Sequence, residues 1–198
     1  IPNGIKPASI TQAKDYLKIL GIDNHPYILA VGRITPEKGF DYLIDAFNLL
    51  KTNNLYLVIA GGIDHKSAYG NELLNKAKIN KKIIFTGHVE GEKLEQLYNH
   101  AQLFILPSYN EGYPIVLLEA ISYKLPIMAS DIPANKQLKL PQESYFHTGD
   151  YKELALVLER RLISENKIRI DYKQQLYTWY DVAKRTEQVF LDLYPTNT

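Results

Sequence analysis

The sequence predicts a doubly wound, parallel α/β sheet, and three observations carry that expectation. Short continuous apolar runs recur along the first 130 residues; each is followed by a stretch with apolar residues at the three- and four-residue helical spacing; and 198 residues, 45% hydrophobic and 23% charged, suffice for one sizeable core. The first run, YILAVGR (27–33), precedes GFDYLIDAFNLL (39–50). LYLVIAGG (55–62) precedes AYGNELLNKAKI, KIIFTGHV (82–89) precedes EKLEQLYNHA, and LFILPS (103–108) precedes a stretch ending in PIVLLEA. PIMAS (126–130) supplies a fifth strand. Continuous apolar strands joined by helices argue a sheet covered on both faces. After about residue 150 the pattern is helical, with ELALVLERRLI and AKRTEQVFLDLY both amphipathic, and the closing PTNT reads as loose chain. No repeat or low-complexity segment intervenes, so residues 1–198 read as a single domain.

Composition excludes several classes of function. The formal net charge is +1, from 23 Lys plus Arg against 22 Asp plus Glu, which gives no electrostatic footprint for nucleic acid or a membrane surface. Any anion site must be local. The absence of cysteine removes disulfides, thiolate metal sites and a cysteine nucleophile, and fits the cytosol. The five histidines form no metal-ligand spacing. No apolar run approaches the length of a membrane span, and the N-terminus lacks the basic-then-apolar order of a signal peptide. The chain begins at Ile1 rather than methionine, which hints at a fragment.

Ligands of a doubly wound sheet bind beyond the carboxyl ends of its strands. That rule selects GRITPEKG, GGIDHKS, GHVEGEK and PSYNEG. Neither the dinucleotide fingerprint G-x-G-x-x-G nor the P-loop G-x-x-x-x-G-K-[ST] occurs. In GRITPEKG (32–39), Thr35 and Pro36 read as cap and first position of a helix. Lys38 then stands where the helix dipole favours an acid, and Gly39 inside a helix would cost roughly 1 kcal/mol relative to alanine. A helix N-terminus with Lys38, a glycine and Arg33 on one loop suits a phosphate, and two cations suit a diphosphate. The plainer alternative is that Arg33 and Lys38 are solvated loop charges.

NEGYPIVLLEA (110–120) poses a sharper question, because Glu119 lies in a helix that is apolar in every direction. A buried carboxylate needs a partner, yet its helical neighbours Ile115, Val116, Ser122 and Tyr123 offer no positive charge. With Pro114 as first helical residue, Glu119 sits about 7.5 Å along the axis, roughly the span of a diphosphate. Glu111 at the helix mouth and Glu119 further along could contact polar groups on either side of a diphosphate. The amides of Ile115, Val116 and Leu117 would then face its oxygens. The alternative is structural: Glu111 caps the loop, and Glu119 bonds a buried backbone group or a lysine from another helix.

These residues carry a resemblance. IPNGI, VGRITPEKGFDYLIDAF, VIAGG, IIFTGHV, LPSYNEGYPIVLLEA and LPIMAS together resemble the carboxyl-terminal, Rossmann-like half of GT-B glycosyltransferases of family 4, retaining enzymes that use nucleotide sugars. The likeness covers nearly the whole chain, and Glu111, seven residues, Glu119 matches the family's paired-glutamate motif. The resemblance implies that Arg33 and Lys38 hold the donor diphosphate and stabilise it as a leaving group, and that Glu111 contacts hydroxyls of the donor sugar. Glu119 would accept from the ribose hydroxyls. His88 and Val89 would meet the base through main-chain atoms. Gly112, Tyr113 and the amides of Ile115, Val116 and Leu117 would touch sugar and phosphate, with Gly32 opening the donor loop. It implies no cofactor, no metal and no nucleic acid. The partners would be a UDP-, GDP- or ADP-linked donor, and an acceptor glycan or lipid held by an amino-terminal domain. Localisation would be cytoplasmic, with peripheral membrane association through that other domain. Residues 1–5 would be the interdomain linker and 180–194 the helix returning toward the amino-terminal domain, with exposed apolar surface. The alternative is a noncatalytic nucleotide-sugar-binding module or one half of a sugar-nucleotide epimerase.

Three departures from the family's pattern stand out. Lys124 replaces a glycine suited to a left-handed helix cap, which puts that cap geometry in doubt. Gln137 stands near a position where the family carries glutamate. Lys66 and Ser67 could approach a ligand, though loop charge is the plainer reading. The 15 tyrosines form no stacking array of the kind that binds single strands.

Overall fold

A computed structural model describes residues 3–52, 54–63, 67–164, 169–173 and 176–193. Lys66, the first two residues of IPNGI, Tyr194 at the end of the expected last helix, and PTNT lie outside the described residues. Among those described, six parallel strands form one sheet: β1 (Tyr27–Val31), β2 (Tyr56–Ala60), β3 (Ile83–Gly87), β4 (Leu103–Leu106), β5 (Ile127–Ser130) and β6 (Tyr145–Phe146). Their spatial order is β3-β2-β1-β4-β5-β6. The chain runs outward from β1 through β2 to β3, then returns to place β4 on the other side of β1. The strand order therefore reverses between β1 and β4, and the carboxyl ends at such a reversal are where sheets of this kind bind their ligands.

Helices cover both faces, as the unbroken apolar strands require. Successive strand residues point to opposite sides. Tyr27, Leu29, Val58, Phe104 and Leu106 join one core, packed by α1 (Asp15–Ile19), α4 (Gly91–His100) and α5 (Ile115–Ser122). Ile28, Ala30, Leu57, Ile59, Leu103 and Ile105 join the other, packed by α2 (Phe40–Leu49), α3 (Ala68–Ile79) and α7 (Tyr151–Ser164). The sequence reading finds five of the six strands. It misses β6, α1 and α6 (Pro133–Lys136), because two, five and four residues are too short to display a period.

The last helix, α8 (Trp179–Leu193), differs from the others in burying none of its residues. Trp179, Phe190 and Leu193 are 57%, 59% and 66% exposed. Where α8 begins, the chain passes beside Ile5. Ile5 bridges to Thr178, and the Ile5 amide donates to the Tyr177 carbonyl at 2.8 Å.

Candidate functional site at the strand-order reversal

The loop after β1 is built differently from the expectation. Pro36–Lys38 form a single 3-10 turn, and Gly39, at φ 66°, is a left-handed joint from which α2 departs at Phe40. Thr35 makes no side-chain cap, so neither the misplaced cation nor the helix-interior glycine arises. Gly39 is required on two counts. Its φ is one that L side chains rarely adopt, and an added Cβ would meet the Pro107 carbonyl oxygen at 2.2 Å and the Tyr42 ring at 2.5 Å.

That close approach presses the loop after β1 onto the loop after β4. The amides of Tyr109 and Asn110 donate to the Glu37 carbonyl at 2.8 and 3.4 Å, and the Tyr42 hydroxyl donates to the Pro107 carbonyl. Lys38 is thereby delivered to Glu111, and its Nζ donates to both carboxylate oxygens at 2.7 and 2.8 Å. The pair is largely withdrawn from solvent, with side chains 18% and 9% exposed. Lys38 is therefore no solvated loop charge. Arg33, on the same loop, is exposed.

A polar relay lies beneath Glu111. The Ser108 hydroxyl donates to its Oε1 at 2.6 Å, and the Ser130 hydroxyl donates to the Ser108 carbonyl at 2.5 Å. Asn135 Nδ2 donates to the Ser130 carbonyl and hydroxyl at 2.9 and 3.0 Å. Ser108, Ser130 and Asn135 are completely buried, so the relay fixes the ends of β4 and β5 together. Ser108 stands three residues before Glu111, a side-chain-to-side-chain spacing that the sequence could have disclosed; Ser130 and Asn135 depend on the sheet order.

Glu119 has a protein partner after all. The Tyr98 hydroxyl, from α4, donates to its Oε2 at 2.8 Å. Burial raises the Glu119 carboxyl above its ordinary pKa, and the Tyr98 hydrogen bond pulls it back down. Nothing in the local sequence signals Tyr98, which arrives from the preceding strand-helix unit. Nor is α5 buried all round: Ile115 is 37% exposed, and Val116, Glu119 and Ser122 are intermediate.

Pro114 occupies the position before the first helical residue, not the first turn itself. Two of the three amides expected to face an anion already have acceptors. Ile115 donates to the Tyr113 carbonyl at 2.9 Å and Leu117 to that of Pro114 at 3.0 Å. Val116 is the one of the three without a backbone acceptor among the described residues. Gly112 and Tyr113 are exposed on the turn between Glu111 and α5. At the other end of the helix, Lys124 keeps the left-handed cap that its side chain put in question. Its φ is 56°, its amide donates to the Ile121 carbonyl at 2.8 Å, and the Leu125 amide donates to that of Ala120 at 3.1 Å. That is the Schellman pattern, here formed with a lysine where glycine is favoured.

The remaining expected residues lie just beyond the carboxyl ends of β1 and β3. Gly32 and Gly61 cross so closely that a Cβ on Gly61 would lie 1.8 Å from the Gly32 carbonyl oxygen. His88 is exposed, while Val89 packs against the core. A cavity of about 90 Å³ lies between the start of α4 and α5, with Lys6, Gly91, Tyr98 and Glu119 in its wall. Two larger hollows, of about 610 and 450 Å³, meet at Pro26 and Gln102 near the opposite, amino ends of the strands.

With this geometry in view, the match to known proteins is specific. Residues 12–179 match the family of glycosyl transferases group 1. The chain belongs to that family. An uncharacterized glycosyltransferase of Methanocaldococcus jannaschii is 29% identical over 208 residues, covering 96% of this chain and 53% of that one. The serotype-specific mannosyltransferase WbdA of Escherichia coli is 30% identical over 141 residues, 69% of this chain and 17% of its own. Anabaena HepE, solved in complex with UDP and glucose, superimposes with a TM-score of 0.79 at 19% identity, over 92% of this chain and 53% of that one. This group 1 domain thus has the fold of one GT-B half, and it spans about half the length of the first and third of these relatives.

Proposed function

We propose that this domain binds the nucleotide-sugar donor of a retaining, family 4 GT-B glycosyltransferase. The acceptor, a glycan or lipid, is held across a cleft by an amino-terminal domain in polysaccharide, lipopolysaccharide or glycolipid synthesis. The observation that carries this reading is the Lys38–Glu111 pair at the strand-order reversal, where a doubly wound sheet binds its ligand. Eight residues further on, Glu119 stands on the helix that leaves this point.

Roles follow from the chemistry of transfer. Cleavage of the bond between the sugar's anomeric carbon and the diphosphate leaves positive charge on the sugar ring and negative charge on the departing oxygen. Lys38 and Arg33 stabilise the leaving diphosphate, and this electrostatic help grows as the bond breaks. Glu111 accepts from hydroxyls of the donor sugar, released from full pairing when the diphosphate takes a share of the Lys38 ammonium. Glu119 accepts from the ribose hydroxyls, and the main chain at His88 and Val89 faces the base. Gly32, Gly112, Tyr113 and the Val116 amide line the path between them. The acceptor oxygen attacks on the face the diphosphate leaves, and a diphosphate oxygen takes its proton. The exposed apolar side of α8, beside the first residues of the chain, suits contact with the amino-terminal domain. The whole enzyme then works in the cytoplasm, with membrane contact made through that domain.

The test is sugar transfer by the full-length protein carrying Lys38→Ala. A fall of about a hundredfold or more is expected, as for loss of one group stabilising charge in a transition state. Undiminished transfer would remove the diphosphate assignment.

A further inference from the structure

We infer that Tyr98 is a positioning residue for the nucleotide: by holding one oxygen of Glu119 from behind, it aims the carboxylate at the ribose and sets the preference for ribonucleotides over deoxyribonucleotides. This rests on the ribose role given to Glu119 above. Three observations carry it.

First, the contact is directional. Tyr98 donates to Oε2 at 2.8 Å, and a carboxylate has about four lone-pair positions on its two oxygens. One is engaged by Tyr98, so the others remain for hydroxyl donors. Glu119 and Tyr98 both line the small cavity at the start of α4, whose wall also holds Gly91, three residues after His88. The carboxylate is thus offered to the same space that the base-facing loop borders.

Second, the donor is built not to move. The Tyr98 ring is stacked on Tyr123 at 5.0 Å with planes 7° apart, and on Phe104 at 5.8 Å with planes 25° apart. Tyr123 comes from the end of α5 and Phe104 from β4, so the stack joins three elements. Tyr98 is 2% exposed, and burial holds its phenol well above the ordinary tyrosine range, so it keeps the proton that it donates to Glu119.

Third, among the described residues of the cavity wall no stronger partner competes. The charged groups in the cavity wall besides Glu119 are Lys6 and Glu95, and these pair with each other at 2.7 Å. An ammonium on Glu119 would take up lone pairs that hydroxyl donors need, whereas the Tyr98 phenol takes one and leaves the rest.

The experiment measures dissociation constants of the full-length protein for UDP, GDP and ADP, each against its 2′-deoxy analogue, in the wild type, Tyr98→Phe, Glu119→Gln and the double variant. Phenylalanine keeps the ring stack and removes only the hydroxyl. The wild type is expected to favour the ribonucleotide of its preferred pair by about tenfold, one hydrogen bond to a charged acceptor. Tyr98→Phe should cut that ratio severalfold while leaving the deoxynucleotide's affinity nearly unchanged, and should add nothing in the Glu119→Gln background. A merely structural Tyr98 would weaken both nucleotides of a pair together and leave the ratio intact, which overturns the inference. If Glu119→Gln itself keeps the full ribose preference, or no nucleotide binds, the donor-site reading on which the inference stands fails instead.

Discussion

Glu111 and Glu119 belong to one motif, eight positions apart, and the fold treats them oppositely. Glu111 stands on a loop and is neutralised: an ammonium bridges both its oxygens and a serine hydroxyl holds one of them. Glu119 stands on a helix with no cation on it among the described residues, held by a single phenol and raised in pKa by burial. The difference fits the separate roles proposed for the two. A paired carboxylate can be released by whatever competes for its lysine, so in the proposed donor site its contact with a sugar is conditional on an anion being present. An unpaired one waits for neutral donors and imposes a standing energetic penalty on the fold.

The largest effect should come from breaking the paired side. Lys38→Ala strands Glu111 with a serine alone, and loss of about 2 kcal/mol in unfolding free energy is expected from chemical denaturation, in addition to the fall in transfer. An unchanged stability would mean that solvent, rather than Lys38, balances the charge. Gly39→Ala attacks the same pair through the backbone. The left-handed φ and the 2.2 Å approach to Pro107 together call for about 3 kcal/mol of destabilisation, or a loop shift that parts Lys38 from Glu111. A crystal structure of the variant distinguishes these, and an unmoved, fully stable loop would refute the packing argument.

The unpaired side should respond with the opposite sign. Glu119 has a folded-state pKa above its value in the unfolded chain, so the native state holds the proton more tightly. Its contribution to stability is therefore favourable at low pH and is lost as pH rises from the ordinary glutamate range through the raised folded value. Glu119→Gln should stabilise the protein at neutral pH, with the gain fading on acidification toward about pH 4. Nucleotide affinity should fall about tenfold at the same time. Lost stability with unchanged binding would make Glu119 structural. A smaller, independent test lies at the far end of the same helix. Lys124→Gly removes a side chain from φ 56° and should raise stability by about 1 kcal/mol, read from the thermal midpoint.

The sequence made the architecture legible because each buried strand is an unbroken apolar run, and the strand reading places the binding loops at one edge without further help. It made both glutamates and the two cations legible by motif. What it could not disclose is pairing across the sheet. Lys38 and Glu111 are 73 positions apart, and Tyr98 and Glu119 come from different strand-helix units, so their meeting follows from β4 being placed beside β1. Thr35 and Pro36 do open a helical turn, but that it ends at Lys38 is hidden for a related reason. Gly39 takes its left-handed conformation against Pro107, a residue invisible from within the loop.

Calorimetric titration of the full-length protein with UDP, GDP and ADP, wild type against Lys38→Ala, tests the central claim most directly. One nucleoside diphosphate should bind the wild type, and its affinity should fall at least about tenfold in the variant while the corresponding nucleoside monophosphate loses less. Binding of none of the three, or equal binding by both proteins, would contradict a diphosphate site at the strand-order reversal.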